Sequence, residues 1–261
     1  MLGISIRYLT TSLLSPEDTH LYQDILFISD LHLGLEKPEI TRRFLTFLKN
    51  EASKASKLYI LGDLFDAWIG DDDPTPPNNE IRKQLKELVQ SGVNVFLQPG
   101  NRDFLLGQRF SADTGVKLLD DYVVIDLFGT STLITHGDLL CTDDLAYQAF
   151  RIKSHTNKWK NNVLSKPLLL RLFVARWYRL RSYFHKRKKS TEIMDVNQNT
   201  VTEKMTEYQC YRLIHGHTHR PDVHNFTVND ISAQRFVLAA WTKNSGSILS
   251  WNNEGYKIIT I

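Results

Sequence analysis

The sequence predicts an α/β (α+β) fold of two packed β-sheets flanked by helices, with a helical cap inserted between His136 and His217. Three observations lead to this prediction. Short apolar runs alternate with helical patterns over residues 24–100, strand patterns fill residues 222–261, and a basic helical segment separates these regions. The apolar runs end at polar residues beside glycines, which predicts that the reactive groups gather at one edge of the sheets.

The first part of the chain predicts a parallel β-α-β-α-β arrangement. Pro38 can start the first helix, because the first turn of a helix has no partner for the N–H that proline lacks. Phe44 and Leu48 then give this helix an apolar face, and a second helix is predicted over residues 79–90. The predicted strands are 25–28, 58–61 and 93–97.

The second part predicts the other sheet and the cap. We expect a hairpin over residues 123–127 and 132–135, a mostly helical insertion over 143–189, a helix from Thr191 to Tyr208 and a strand over 211–214. Alternating runs in the tail predict further strands of the second sheet, over residues 222–228, 235–241, 247–251 and 256–261.

The length of 261 residues allows one domain with an insertion. Residues 1–23 are predicted to be an N-terminal extension, and residues 24–261 one domain with a helical cap at about 143–190. The extension has one basic residue, Arg7, and no clear cleavage site, which disfavours a signal peptide.

Two cysteines cannot form a disulfide framework, so a reducing compartment is favoured. No apolar run reaches the roughly 18 residues of a spanning helix.

The charges are unevenly distributed although the net charge is only +3. Residues 145–191 contain 13 of the 32 Lys and Arg residues, and all 29 Asp and Glu residues lie outside this segment. Such a basic segment indicates contact with an anion, which could be a phosphate-bearing substrate, a membrane surface or nucleic acid.

The candidate metal ligands all follow predicted strands. In an extended step from Asp30 to His32 the two side chains point the same way, so both can reach one ion. Seven ligands are too many for one ion but suit two divalent metals roughly 3.5–4 Å apart, with Asp63 as the bridge. The oxygen and nitrogen donors favour Mn²⁺, Fe or Zn²⁺ over Cu(I) or Ca²⁺. The predicted ligands are Asp30, His32, Asp63, Asn101, His136, His217 and His219.

Two such metals would lower the pKa of a bridging water and clamp phosphoryl oxygens, which predicts hydrolysis of a phosphate ester or anhydride. The plainer interpretation of any one histidine is a structural or surface role, and His215 is given that role. Asp103 and Asp138 are predicted to orient their neighbours. A solvated acidic loop, rather than a cation site, is predicted for Asp66, Asp71, Asp72 and Asp73.

The motifs resemble those of the calcineurin-like metallophosphoesterases. The short motifs are Asp-x-His, Gly-Asp, Gly-Asn-x-Asp, His-Gly-Asp and Gly-His-x-His. Longer strings, such as FISDLHLG, GNRDFLLGQRF and LIHGHTHRP, resemble the branch of the family that works in lipid A biosynthesis, and the likeness covers roughly residues 24–260. The resemblance implies an αββα sandwich of two packed sheets with an inserted helical cap.

The resemblance also implies roles for individual residues. One Mn²⁺ is implied at Asp30, His32, Asp63 and His219, and a second at Asp63, Asn101, His136 and His217. Catalytic roles are implied for Asn101 and Arg102. Arg102 stands where many relatives have histidine, and a guanidinium can clamp a diphosphate. The implied substrate contacts are Asn101, Arg102, Asp144, Ser182, Lys186, Lys189 and His217; the family usually has asparagine at the position of Lys186.

The activity implied by the resemblance is Mn²⁺-dependent hydrolysis of UDP-2,3-diacylglucosamine, a UDP-linked diacylated glucosamine lipid. Metal-bound hydroxide would attack the α-phosphorus and release UMP and 2,3-diacylglucosamine 1-phosphate (lipid X). The implied location is cytoplasmic and peripheral, at the cytoplasmic face of the inner membrane, with no nucleic acid and no protein partner. One face of the cap would either cover the acyl chains or pack the cap onto the body: Leu169, Leu172, Phe173, Trp177, Leu180 and Phe184.

Three other hypotheses remain at this point. One is a hydrolase of another nucleotide diphosphate, which the long apolar cap disfavours. A second is a nucleic-acid phosphoesterase, whose bases could stack on Trp159, Trp177, Tyr178 and Tyr183. The third is a non-catalytic binding protein, which the complete ligand set disfavours.

Overall fold

The structure, a computed structural model, describes residues 24–186 and 195–261, with side chains placed for all of these except 180–186. The predicted extension over residues 1–23 and the predicted substrate contact Lys189 lie outside the described residues.

Strands and helices follow one another closely along the chain. The strands are β1 (Ile25–Ile28), β2 (Lys57–Leu61), β3 (Asn94–Gln98), β4 (Lys117–Leu118), β5 (Val123–Leu127), β6 (Thr130–Thr135), β7 (Arg212–His215), β8 (Asp222–Val228), β9 (Ile231–Val237), β10 (Ser247–Asn252) and β11 (Gly255–Thr260). The helices are α1 (Pro38–Asn50), α2 (Asn78–Gln90), α3 (Gln108–Thr114), α4 (Leu145–Ser154), α5 (Asn157–Leu164), α6 (Leu168–Lys186) and α7 (Gln198–Glu207).

The first sheet has the strand order β11-β10-β1-β2-β3-β4. β1, β2 and β3 are parallel, as predicted, with α1 and α2 as the crossovers. Phe27 pairs with Tyr59, and Tyr59 pairs with Phe96. Their rings stack at centroid distances of 5.1 and 4.7 Å, so the register of the strands also aligns their aromatic side chains.

The second sheet has the order β5-β6-β7-β9-β8. The prediction that all the tail strands belong to this sheet is wrong, because β10 and β11 join the first sheet and β10 pairs antiparallel with β1. This pairing covers the edge of β1 that β2 leaves open. β9 also begins and ends before the predicted 235–241.

Because successive side chains of a strand point to opposite faces of its sheet, the core is divided into layers. Phe27 and Leu61 point between the sheets, where they pack with Ile134, Ile214 and Phe236. On the outer face of the first sheet, the side chains of β1 to β3 pack against α1 and α2. On the outer face of the second sheet, α7 packs through Val201 and Met205. The result is the αββα order that the resemblance implied, and the fold prediction is confirmed.

Helices α4, α5 and α6 lie in the chain between His136 and His217. Asp144 caps α4 by accepting from the N–H of Tyr147 at 3.2 Å, and Thr156 caps α5. The later helix begins at Gln198, not at Thr191 as predicted, because Asn197 accepts from the N–H groups of Asn199 and Thr200; residues 191–194 lie outside the described part. Among the residues described, none of the helices combines the length and apolarity needed to cross a bilayer.

The described part of the apolar face of α6 differs in orientation from both predicted arrangements, and the side chains of Leu180 and Phe184 are not described. Its apolar residues Leu169, Phe173 and Trp177 point outward, with exposed fractions of 81%, 70% and 49%. Arg171, on the opposite face, is only 6% exposed. Arg171 donates to the carbonyl of Ile69 at 2.5 Å and pairs with Asp72, so the cap is attached to the body through charge rather than through this apolar face.

Candidate metal centre and substrate cavity

The candidate ligands lie on tight turns just beyond the strand ends. β1 ends at Ile28, and Asp30 and His32 have left-handed φ angles of 55° and 51°, so their side chains converge through turns and not through the predicted extended step. Asp63, His217 and His219 have φ angles of 53°, 69° and 57°. A non-glycine residue in this region costs about 1–3 kcal/mol, and such strain is concentrated at functional sites.

One group of ligand atoms is formed by Asp30, His32 and His219. The Nε2 atoms of the two histidines are 3.5 Å apart, and Nε2 of His219 lies 3.1 Å from Oδ1 of Asp30. The other carboxylate oxygen of Asp30 accepts from the hydroxyl of Ser29 at 2.6 Å and from the N–H of His217 at 2.8 Å. Asp30 therefore also orients the loop that carries the two distant histidines.

A second group is formed by Asn101, His136 and His217. Oδ1 of Asn101 lies 3.2 Å from Nε2 of His136 and 3.1 Å from Nδ1 of His217. The two imidazole nitrogens are 3.2 Å apart. Nδ1 of His136 donates to the carbonyl of Leu61 at 2.9 Å, which directs Nε2 towards the group.

Asp63 lies between the two groups. Its Oδ2 is 3.7 Å from Nδ1 of His32, and its Oδ1 is 3.8 Å from Nε2 of His136. Oδ1 also accepts from the N–H of Arg102 at 2.8 Å. Asp30 is close enough to form a further group with Asp63 and His136. The structure thus brings all seven predicted ligands together, with Asp63 in the position that a bridge requires.

The electrostatics of these groups fit a bound cation. Burial raises the pKa of Asp63 to about 7. The negative charges of Asp103 and Asp30 add to this increase, and the charges of His136 and Arg102 oppose it. Burial would also raise the pKa of Asp30, but the hydrogen bond from His219 and the neighbouring imidazoles hold it well below its usual value. Buried carboxylates in this number attract either protons or a metal ion.

The same carboxylates create a negative potential at the histidines, which also favours a bound cation. Burial alone would lower the pKa of His136, but Asp63, Asp30 and Asp138 raise it to about 9. Burial lowers the pKa of His32 despite Asp30, and its Nδ1 atom is buried without a hydrogen-bond partner. Nitrogen and oxygen acceptors that face one another in this way fit divalent metal ions, which need no hydrogen-bond donor.

Two glycines permit the close approach of the loops. A Cβ atom on Gly216 would lie 2.2 Å from the hydroxyl of Ser29 and 2.4 Å from Oδ2 of Asp30. A Cβ atom on Gly100 would lie 2.4 Å from Oδ1 of Asp63. Gly100 and Gly216 are therefore needed for space.

Asp103 and His215 contact the ligand loops without facing the cluster. Asp103 accepts from the N–H groups of Gly100 at 2.7 Å and Phe65 at 3.2 Å, an orienting contact of the kind predicted. His215 is fully buried, and Nδ1 donates to the carbonyl of Gly216 while Nε2 accepts from Arg235 at 3.1 Å.

A cavity of about 900 Å³ opens beside the cluster, between the body and the cap. Asn101, Arg102 and His217 line its polar end, and Asp144 also lies on its wall. Its remaining walls are largely apolar and include Phe104, Phe150, Trp159, Leu170 and Val174. Ser182 and Lys186, two predicted substrate contacts, belong to α6, but their side chains are not described.

Two cations near the cavity were not predicted as site residues. Arg179 contacts Asp66, and Nζ of Lys37 lies 3.4 Å from the same carboxylate. Burial lowers the pKa of Lys37, and the nearby charges of Arg179 and Arg102 lower it further. Lys37 follows the first ligand motif by five positions, but nothing in its local pattern distinguished it from a surface lysine.

The prediction of a solvated acidic loop is wrong for Asp66 and Asp73, which are buried, whereas Asp72 is half exposed. Asp66 and Asp72 pair with Arg179 and Arg171 of the cap. Asp71 accepts from the indole N–H of Trp68 and from the N–H groups of Gly107 and Phe110, and Asp73 accepts from Asn78. The loop holds the cap and the start of α3 in place.

His155, on the cap, predicts a pH dependence of stability. Its ring stacks on Phe104 at 4.6 Å, and burial, helped by Arg151 and Lys160, lowers its pKa to about 4. Between pH 6.5 and 4 the unfolded chain binds this proton more readily, so stability falls on acidification through this window. We expect His155→Phe, which keeps a ring there, to have a smaller loss of Tm between pH 6.5 and 4 than the wild type. Equal losses would contradict this expectation.

The site can be compared with known proteins. Residues 24–221 match the family model described as calcineurin-like phosphoesterase. The UDP-2,3-diacylglucosamine hydrolase of Enterobacter sp. (strain 638) is 50% identical over 234 residues, covering 90% of this chain and 97% of that protein. The hydrolase of the same name from Salmonella paratyphi C (strain RKS4594) is 49% identical over 235 residues, with the same coverage. A solved archaeal phosphodiesterase has a TM-score of 0.47 and 13% identity, covering 91% of this chain and 99% of that one, a likeness too low to carry weight.

Proposed function

Because the chain belongs to the calcineurin-like phosphoesterase family, we propose that it hydrolyses the diphosphate bond of UDP-2,3-diacylglucosamine, releasing UMP and 2,3-diacylglucosamine 1-phosphate. The observation that carries the proposal is the apolar cavity of about 900 Å³ that opens onto the ligand cluster. An acylated substrate needs such a cavity next to the reacting phosphate, whereas a fully polar nucleotide does not.

The proposed cofactors are two Mn²⁺ ions per chain. Asp30, His32, Asp63 and His219 would hold one ion, and Asp63, Asn101, His136 and His217 the other. When bound, the two ions supply a nucleophilic hydroxide at neutral pH and neutralise charge on the phosphate oxygens. Mixed carboxylate, imidazole and amide donors without thiolate support this choice of metal.

The protein's own polar groups would orient the diphosphate. The backbone N–H of Arg102 is engaged by Asp63, which fixes the start of the side chain beside the cluster. From there the guanidinium can donate two parallel hydrogen bonds to phosphate oxygens as charge develops at the α-phosphorus. We assign further substrate contacts to Asn101, His217 and Asp144 on the cavity wall, and to Ser182, Lys186 and Lys189 of the cap segment.

Arg102→Ala should leave both metal ions bound and slow hydrolysis. Loss of a donor to a developing negative charge costs about 10²–10³ in kcat. Steady-state kinetics with Mn²⁺ stoichiometry measured on the same sample would check this, and Arg102→Lys, which keeps the charge but not the fork, should retain part of the rate. Unchanged kcat and KM in Arg102→Ala would refute the clamp.

We also propose that the protein associates peripherally with the anionic cytoplasmic face of the inner membrane. Leu169, Phe173 and Trp177 form an outward-facing apolar row on α6. Exposed basic residues accompany it, among them Lys153, Lys166 and Arg176, and residues 145–191 contain no acidic residue. An apolar face beside basic residues suits an interfacial helix on anionic lipid, the environment that holds a diacylated substrate.

Replacing Leu169, Phe173 and Trp177 by serine should weaken binding to vesicles that contain anionic lipid by well over tenfold, because full burial of each such side chain contributes about 1.5–3 kcal/mol and about 1.4 kcal/mol corresponds to a factor of ten. Co-sedimentation with vesicles would measure this. The matched control replaces Val124, Tyr256 and Ile258, exposed apolar residues on the sheets, and should not change binding. Hydrolysis of a short-chain, water-soluble substrate should be unaffected, and equal vesicle binding by all variants would exclude this surface.

The packing of Trp159 favours the lipid over nucleic acid. Trp159 packs against Phe104 and Phe150, with ring centroids 5.8 and 6.3 Å away, inside the cavity wall. Tyr178 also lines the cavity. Trp159 therefore does not form the open stacking surface that single-stranded nucleic acid requires. Trp177 and Tyr178 are about half exposed, and the side chain of Tyr183 is not described.

A direct assay tests the proposed function. The purified protein is incubated with UDP-2,3-diacylglucosamine and Mn²⁺, and UMP is detected by mass spectrometry. UDP-N-acetylglucosamine serves as the non-lipid control and EDTA as the metal control. We expect UMP from the lipid substrate only, and only with metal. No UMP from the lipid, or equal turnover of both substrates, would overturn the proposal.

A further inference from the structure

Asp138 lies two residues after the candidate ligand His136 and is almost completely buried. Its carboxylate is held by α4 of the cap: it accepts from Nε of Arg151 at 2.6 Å and from the hydroxyl of Tyr147. Its backbone carbonyl accepts from the side-chain amide of Gln148 at 2.8 Å. Three side chains of one cap helix thus converge on the residue that follows the His136 turn.

Arg151 is the charged centre of this contact. It is 8% exposed, and a second guanidinium nitrogen donates to Asp121 at 2.7 Å. One guanidinium therefore joins Asp121, which precedes β5, to Asp138, which follows β6. Asp121 is half exposed and can be solvated without its partner, but Asp138 cannot. Removal of Arg151 would leave Asp138 as a buried charge without its arginine partner, next to the ligand loop.

The same helix reaches other parts of the ligand cluster. The ring of Tyr147 lies 6.2 Å from the ring of His217. His155, directly after α4, stacks on Phe104, three residues beyond Asn101. Contacts from this one segment therefore reach the loops of His136, His217 and Asn101, the three residues that form the second ligand group.

We propose that Arg151 is a positioning residue that couples α4 of the cap to the second ligand group, so that metal binding and docking of α4 stabilise each other. The proposal rests on the two-ion site of the proposed function. Partners of metal-ligating residues hold the ligands in orientation, and their loss typically lowers metal affinity. Coupling between two equilibria is reciprocal, so metal must strengthen the docking of α4 as much as α4 strengthens metal binding.

The test compares Arg151→Met with Arg171→Met. Both variants remove a buried cap arginine from a carboxylate, but the Asp72 partner of Arg171 is not adjacent to a ligand. We expect Arg151→Met to weaken binding of one of the two Mn²⁺ ions by about 10- to 100-fold, measured from free Mn²⁺ by electron paramagnetic resonance. Arg171→Met should stay close to the wild type in Mn²⁺ affinity.

Hydrogen exchange measures the effect of metal binding on the docking of α4. In the wild type, Mn²⁺ should slow amide exchange in α4, and this protection should be lost in Arg151→Met but kept in Arg171→Met. If Arg151→Met does not fold, Tyr147→Phe, which removes only the hydroxyl that donates to Asp138, should give a smaller effect in the same direction.

Each result has one interpretation. Wild-type Mn²⁺ affinity and wild-type protection of α4 in Arg151→Met, or in Tyr147→Phe where that variant is used, would overturn the coupling and leave the proposed function intact. If the wild type binds no second Mn²⁺, the two-ion site and the coupling are both overturned.

Discussion

Asp63→Asn should abolish nearly all turnover while the fold is retained. The amide has the shape of the carboxylate and can still accept from the N–H of Arg102, but it removes the negative charge that lies between His32 and His136. Both proposed ions would lose a ligand at once. Metal ions contribute several kcal/mol to such transition states, so we expect kcat to fall by about 10³-fold or more.

The matched control is Asp126→Asn, the same chemical change at an exposed carboxylate on β5. Steady-state kinetics and Mn²⁺ stoichiometry should be measured for both variants, with Tm as the check on folding. An Asp63→Asn protein that binds two ions and turns over at the wild-type rate would refute the assignment of Asp63 as the shared ligand.

Gly100→Ala should also produce a large loss of activity. The added Cβ would lie 2.4 Å from Oδ1 and 2.5 Å from the backbone nitrogen of Asp63, so the carboxylate or its loop must move by about 1 Å to restore normal contact. A displacement of that size in a reacting constellation costs about 10²-fold in rate.

Gly34→Ala is the control for this prediction, because its Cβ would meet Asp66 at 3.5 Å, an ordinary van der Waals distance, in the loop that follows His32. We expect near-normal rates for Gly34→Ala and a loss of both rate and Mn²⁺ affinity for Gly100→Ala. Equal kinetics in the two variants would show that close approach at Gly100 is unimportant.

The pattern of strands and ligands could be predicted because it is local. The apolar runs that became β1 and β2 are short, and each ends at a turn with a polar residue and a glycine. Parallel strands place such turns at one edge of a sheet, so Asp30, Asp63 and Asn101 could be expected together. Their ligation of metal stays a prediction, although their geometry and burial fit it.

The cap could not be predicted in the same way. The apolar row at Leu169, Phe173 and Trp177 indicates a helix with two different faces, but periodicity alone does not say which face packs. That choice depends on Asp72, which pairs with Arg171 almost a hundred positions further along the chain. Burial of an arginine is favourable only when a carboxylate pairs with it. The local sequence pattern does not indicate which distant carboxylate will form that pair.

By itself, the sequence determined the order of most strands and helices, although not α3 and β4, and it determined the set of candidate ligands and the basic character of the cap. Each of these features depends on residues close together in the chain. Only the tertiary structure decided that β10 and β11 complete the first sheet, that the candidate ligands sit on left-handed turns, and that the apolar row of α6 faces outward. It also decided that Arg151 connects the cap to the turn after His136. The physical reason is that these features depend on pairing and charge compensation between distant segments, which the folded chain alone brings within contact.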